Sequence, residues 1–191
     1  MEFKRLETSM KKALLTLLFL ASPAFAGSWT IGAGVGTERI NDKLDVTLIE
    51  VRGNYRFDSG VILGAGQQKG YPENNGTIET RSELFAGYSS KVGVFMPYVL
   101  SAFGNKTKSS GDKNVAYTSV TAGSLVFINE KWFVDTQYRY RDSIDNAWRT
   151  ERLQVGLGHN FSKEFGVMAS YGKSSGNFKS DAYSLITLFR F

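Results

Sequence analysis

From Gly27 to the last residue, apolar and polar side chains change places at every second position. Thr47, Ile49, Val51, Gly53, Tyr55 and Phe57 alternate with Val46, Leu48, Glu50, Arg52, Asn54 and Arg56. Trp132, Val134, Thr136, Tyr138 and Tyr140 alternate with Lys131, Phe133, Asp135, Gln137, Arg139 and Arg141. Trp29, Ile31, Ala33 and Val35, and later Leu153, Val155 and Leu157, keep the same period. A period of two is the strand period, and no window sustains the three-and-four spacing of an amphipathic helix. The chain is therefore read as all-β.

Turn signals divide the pattern. Tight ones fall at Asp58-Ser59-Gly60, Ser89-Ser90-Lys91, Ile128-Asn129-Glu130 and Ser162-Lys163-Glu164. Longer polar connections are read at 41–45, 70–76, 105–113, 142–147 and 174–180. Short and long connections take turns, and nine connections imply ten strands. These are placed near 28–40, 46–57, 61–69, 77–88, 92–104, 114–127, 131–141, 148–161, 165–173 and 181–191. Eight strands remain the alternative, reached if 61–69 and 165–173 are loops. Strands of this length, steeply tilted, are long enough to cross an outer membrane.

A water-soluble sandwich also alternates, so three further features choose the solvent. First, charge and amide groups lie well inside strands, at Glu50, Arg52, Arg56, Glu79, Arg81, Glu83, Asp135, Arg139, Arg152 and Gln154. In a transmembrane barrel such residues line the interior, while apolar ones meet lipid. Second, aromatic residues gather at strand ends. Tyr55, Phe57, Tyr88, Phe127, Trp132, Phe161, Phe165, Phe189 and Phe191 lie beside the short turns. Tyr71, Tyr117, Tyr138, Tyr140, Trp148, Tyr171 and Tyr183 lie nearer the longer ones. Two aromatic belts suit two headgroup layers. Third, the alternation runs to Phe191, which supplies a last strand to pair with the first. An open edge in hydrocarbon would leave backbone groups unpaired. The expected fold is a closed, antiparallel, up-and-down transmembrane β-barrel over 27–191.

The segment ahead of it reads as an address. Lys11 and Lys12 precede an apolar run at 13–21, and Ala24-Phe25-Ala26 is a small–x–small site before Gly27. That order is a secretory signal peptide, with 1–9 as an upstream extension and Met10 as a candidate start. Cleavage after Ala26 removes four Lys/Arg and two Asp/Glu from a net charge of +5 and leaves +3. With no Cys and one His, thiolate metal sites, disulfides and Cys nucleophiles are excluded, and no cofactor is expected. No Lys/Arg block suggests nucleic acid.

The signal segment 10–26, the connection rhythm, and Phe189 and Phe191 together resemble the small bacterial outer-membrane β-barrels. These are the OmpA-, OmpX- and Ail-like proteins and the small monomeric porins. The resemblance implies a monomer in the bacterial outer membrane, with outer-membrane lipids, lipopolysaccharide and the barrel-assembly machinery as partners. It also implies that Phe189 and Phe191 form the assembly signal, although Ile186 stands where the common form has Gly. The run Tyr138-Arg139-Tyr140-Arg141 loosely resembles strands of sugar-acid-specific porins.

Ten strands leave a narrow interior, between a filled eight-stranded barrel and a wide porin. Inward Gly32, Gly34, Gly64, Gly66, Gly87, Gly156 and Gly158 make room for large neighbours. The leading functional expectation is a narrow passive pore for small solutes, modestly favouring anions, with no enzymatic activity. The rivals are a filled barrel serving surface interaction or envelope stability, and a lipid hydrolase built on His159 with Ser170 and Asp135. Asp42, Asp45, Asp142 and Asp145 are loop carboxylates able to meet a cation, more simply read as solvated. Lys106, Lys108, Lys113, Lys173 and Lys179 are placed on the outer side, where they can meet lipopolysaccharide phosphates. Gly32-Ala33-Gly34-Val35-Gly36 lacks the Lys and the helix of a nucleotide loop and is read as strand.

Overall fold

The computed structural model describes residues 27–73, 76–110, 114–145, 148–177 and 179–191. The expected signal peptide lies outside the described residues. Ten strands follow one another: β1 (Gly27–Ile40), β2 (Leu44–Phe57), β3 (Val61–Pro72), β4 (Glu79–Ser89), β5 (Phe95–Lys108), β6 (Val115–Phe127), β7 (Trp132–Ser143), β8 (Arg149–Asn160), β9 (Phe165–Gly176) and β10 (Ser180–Arg190). Each pairs antiparallel with its neighbours in sequence, and β10 closes onto β1. Closure reaches the end of the chain. Trp29 N–H donates to Phe191 O at 3.0 Å, and Phe191 N–H donates to Trp29 O at 3.1 Å. The eight-strand alternative is excluded, because β3 and β9 are full members of the wall with continuous register on both sides.

The connections differ from the sequence reading. The five that were expected to be long shrink to 41–43, 73–78, 109–114, 144–148 and 177–179. The polar residues that suggested loops instead extend the strands, since a polar side chain facing water at the barrel end does not interrupt pairing. The 41–43 connection is the clearest case. Asn41 and Asp42 take positive φ (49° and 57°), and Lys43 N–H returns to Ile40 O at 3.1 Å. Asn and Asp tolerate this left-handed conformation, so the chain reverses tightly where a five-residue loop was expected. This turn is tied to the last one, because Lys179 N–H donates to the Asn41 side chain at 3.0 Å.

The two faces of the wall follow the alternation. Outward positions carry Val35, Val51, Leu63, Leu84, Val99, Phe103, Leu153, Val155 and Leu185, all exposed, with Leu84 at 67%. Such a continuous apolar exterior is incompatible with water and suits hydrocarbon. At the short-turn rim, aromatic rings touch in series outside the wall. Trp29 meets Tyr55, which meets Phe57; Trp132 meets His159, then Phe161, Phe165 and Phe189. Trp29 was not among the expected belt residues. Tyr55 is buried by Trp29 and Phe57 rather than by the lumen. Tyr171 and Tyr183 pair outside near the other rim, 5.1 Å apart.

Three belt assignments are corrected. Phe127 and Trp148 point into the lumen, as does Tyr117, which is fully buried. Phe127 shares the phase of inward Thr121 and Gly123, and packs on inward Phe133. Trp148 lies two residues before Thr150 and shares its inward phase; its ring faces Lys106 and Arg141. Position along a strand gives a ring its height, but only its parity gives its face.

Inside, large side chains lie across glycines of the adjacent strand. Phe85 covers Gly64, Tyr117 covers Gly104, Tyr98 covers Gly123 and Phe133 covers Gly158; a Cβ at any of these glycines would overlap the ring. This interlock fixes the small calibre. Replacing Gly158 with Val drives a methyl-bearing side chain into the Phe133 ring and is expected to cost about 1–3 kcal/mol. In urea titrations of the refolded barrel, G158V should unfold earlier than the parent. Adding Phe133→Ala to it should recover part of the loss, which a general intolerance of position 158 would not allow.

A cationic lumen divided by an arginine septum

Within the strands, the lumen face presents Glu38, Glu50, Glu79, Glu83 and Asp135 against Arg52, Arg56, Arg81, Lys106, Lys108, Arg139, Arg141, Arg152 and Arg190. Cations outnumber carboxylates by nine to five among the described residues. Parity places all ten of the charged and amide residues singled out above on this face, Gln154 included.

The interior is not uniform along its axis. A cavity of about 1140 Å³ opens between the 90–94, 128–131 and 161–164 connections and runs inward as far as Arg81, Arg139, Arg141 and Arg152. On the far side of those arginines lies a small void of about 10 Å³, bounded by the same four side chains with Glu38, Trp148, Thr150 and Ser174. Around it the described residues pack closely, since Glu38, Tyr117, Ser143, Trp148, Thr150, Ser174 and Ser180 are all buried. The four arginines thus form a septum between an open chamber and a packed layer on the side of the longer connections.

The packed layer is cross-linked by charge. Glu79 receives Arg81 at 2.5 Å and Lys106 at 2.7 Å. Arg81 reaches Gln68 at 3.4 Å, and Gln68 donates to Glu50 at 3.3 Å. Glu83 accepts from Arg141 Nη2 at 2.8 Å and from the Tyr117 hydroxyl at 2.9 Å. Trp148 lies under three cations, with Lys106 Nζ at 4.9 Å, Arg81 at 5.8 Å and Arg141 at 6.0 Å from its ring centre. Such contacts stabilise cations most where water is excluded. Glu38 accepts from the Ser180 hydroxyl at 2.6 Å.

The chamber wall is less tightly paired. Asp135 accepts from Tyr98 at 2.9 Å. Arg190 donates to Asn160 at 2.9 Å, and Arg52 lies 4.2 Å over the Phe85 ring. Gln154 donates to Ser170, which shares a 2.7 Å contact with Ser184. Arg52, Arg139 and Arg152 have no carboxylate within 4.0 Å among the described residues.

Several other expectations resolve differently. His159 faces outward between Trp132 and Phe161, whereas Ser170 and Asp135 face the lumen, so the wall itself separates the three residues a hydrolase would need. Asp45 pairs with Arg39 at 2.8 Å and Asp142 accepts from Tyr140 at 3.0 Å; among the described residues no three acidic or His side chains converge as metal ligands. Lys106 is withdrawn from the outer surface into the lumen by Glu79, and Lys108 ends the same inward row. Lys173 faces outward on β9, and Lys113 lies outside the described residues. Sequence reasoning passed over Glu38, Tyr98 and Lys106. Glu38 was legible, since it continues the inward phase of Gly32, Gly34 and Gly36. Lys106 was lost to a loop assignment that β5 overruns.

Glu83 anchors Arg141 in the packed layer. Glu83→Gln leaves a buried guanidinium without its counter-charge, a loss of about 3–5 kcal/mol for a pair of this kind. Urea unfolding of refolded E83Q should show that loss, while E83Q combined with Arg141→Met should restore much of it.

No protein-family model matches the chain, and no curated protein matches it in sequence. Solved structures do share its shape. The KdgM porin in complex with disordered oligogalacturonate superposes with a TM-score of 0.52 at 14% identity, over 85% of this chain and 99% of that one. The COG4313 outer membrane channel from Pseudomonas putida F1 gives 0.51 at 10% identity, over 87% and 96%. The β domain of the Bordetella autotransporter BrkA gives 0.50 at 10% identity, over 86% and 99%. The property held in common with these proteins is the fold, a closed barrel of outer-membrane type.

Proposed function

We propose that this chain is an integral outer-membrane barrel acting as a narrow passive pore that favours small anions, held shut in this conformation by its outer layer. The observation that carries the reading is the cationic chamber. It opens at one end, is lined by arginines without carboxylate partners among the described residues, and is closed at the other end by packed side chains around Trp148. Low-dielectric walls focus that positive potential and raise the local concentration of anions. The sign agrees with the uronate ligand named with the KdgM porin. In this orientation the short-turn rim faces the periplasm. Phe189 and Phe191, on the outward face of the closing strand, serve the assembly machinery, and outward Lys173 and Arg149 are placed to meet lipopolysaccharide phosphates.

A second reading, an envelope-stabilising barrel without transport, is favoured by the packing around Trp148. Single-channel recordings from pure refolded protein in planar bilayers separate the two. The pore reading expects small steps, a reversal potential shifted toward anion permeation, and larger steps when Trp148→Ala opens the outer layer. Silence from both the parent and W148A would leave the stabilising role.

A further inference from the structure

We propose that Arg139 and Arg152, at the head of the chamber, form a binding site for a small anion carrying two or more carboxylate or phosphate groups. The inference rests on the same chamber as the pore reading and names the class of solute it holds.

Five observations converge on these two residues. They are direct cross-strand partners on β7 and β8, both facing inward. Like charges in that position repel and destabilise a sheet. Neither has a carboxylate within ion-pair distance among the described residues, although the same lumen pairs Arg81, Lys106 and Arg141 closely. Their other in-register partners are hydroxyls, Thr121 beside Arg139 and Ser174 beside Arg152, positions from which an acid would have reached them. Arg139 makes only a 3.2 Å bond to Thr121, and Arg152 Nε is buried with no hydrogen-bond partner. Finally, both line the 1140 Å³ cavity that opens at the short-turn rim, which gives a solute a route and room.

Half-buried guanidinium groups left without counter-charge are costly, so a wall that leaves two side by side leaves a place for an anion. The planar fork of each group fits a carboxylate or phosphate through two parallel bonds, a match that a spherical halide does not make. Two forks set next to each other suit a ligand with at least two such groups. Arg141, whose Nε is also buried and unbonded, adds a third donor at the same level.

The test titrates citrate and, separately, inorganic pyrophosphate into the refolded mature barrel in neutral detergent, with chloride at matched ionic strength as the reference. Calorimetry and thermal unfolding read the result. Saturable binding of either probe and a rise in Tm over chloride are expected. Arg139→Gln and Arg152→Gln should each weaken binding about tenfold or more, as loss of a charge-assisted fork implies. Arg139→Lys and Arg152→Lys, which keep the charge but not the fork, should fall between. Without anion, R152Q should be at least as stable as the parent, because it relieves the repulsion. The proposal is overturned by absence of saturable binding of both probes, by Gln variants that bind within about threefold of the parent, or by an anion-free R152Q that loses stability as E83Q does. Binding retained in a protein that passes no current would support the site while removing the pore.

Discussion

Backbone amides surrounded by hydrocarbon have nowhere to find a partner except the neighbouring strand, and that requirement governs the rest of this molecule. It forces β10 onto β1 and carries the pairing to the terminal residue, where Trp29 and Phe191 exchange both of their hydrogen bonds. Once the wall is closed, the alternation of the strands has only one consistent assignment. Apolar residues face the lipid along the middle of the strands, and the charges there are committed to a confined interior, while outward charges such as Arg39, Asp45, Arg149 and Lys173 lie toward the strand ends. A slip of one residue in any strand would turn Glu83 or Arg141 into the membrane and Leu84 or Tyr140 into the lumen.

Confinement then sets the terms for the charges. Ten strands give too little width for a bulk-water channel and too much for apolar filling alone. The lumen answers with rings laid over glycines and with ion pairs braced by aromatic faces. At the outer end this is close to complete, with Glu79, Glu83 and Trp148 holding Arg81, Lys106 and Arg141. At the other end it is not, and the space opens into the chamber. The asymmetry is therefore one of pairing as much as of volume, since Glu79 and Glu83 hold cations at the full end whereas Glu50 and Asp135, along the open chamber, meet the neutral donors Gln68 and Tyr98.

Much of this was written plainly in the sequence, because period-two alternation is a local signal that needs no knowledge of partners. Ten strands, their order and the inward phase of the charges follow from it. The rest is hidden for three reasons. Polar residues at strand ends look like loops, which conceals the reach of β5 to Lys106 and the tightness of the turn at Asn41 and Asp42. Aromatic residues near strand ends look like headgroup anchors, which conceals the inward parity of Phe127, Tyr117 and Trp148. The partition of the lumen could not be read at all, because which arginine meets which carboxylate depends on the stagger between distant strands. Glu83 meets Arg141 across 58 positions of the chain.

That partition gives the unpaired arginines their weight. In a lumen that simply needed polar filling, an acid at Thr121 or Ser174 would lower the energy of Arg139 or Arg152. The hydroxyls found there leave net positive charge at the depth where chamber and packed layer meet. An anion arriving from the open side would neutralise it. Any such anion would also compete with Glu83 for Arg141, the residue that joins the chamber to the layer beneath Trp148. Occupancy of the chamber and integrity of the barrier are in this way contested by the same guanidinium groups.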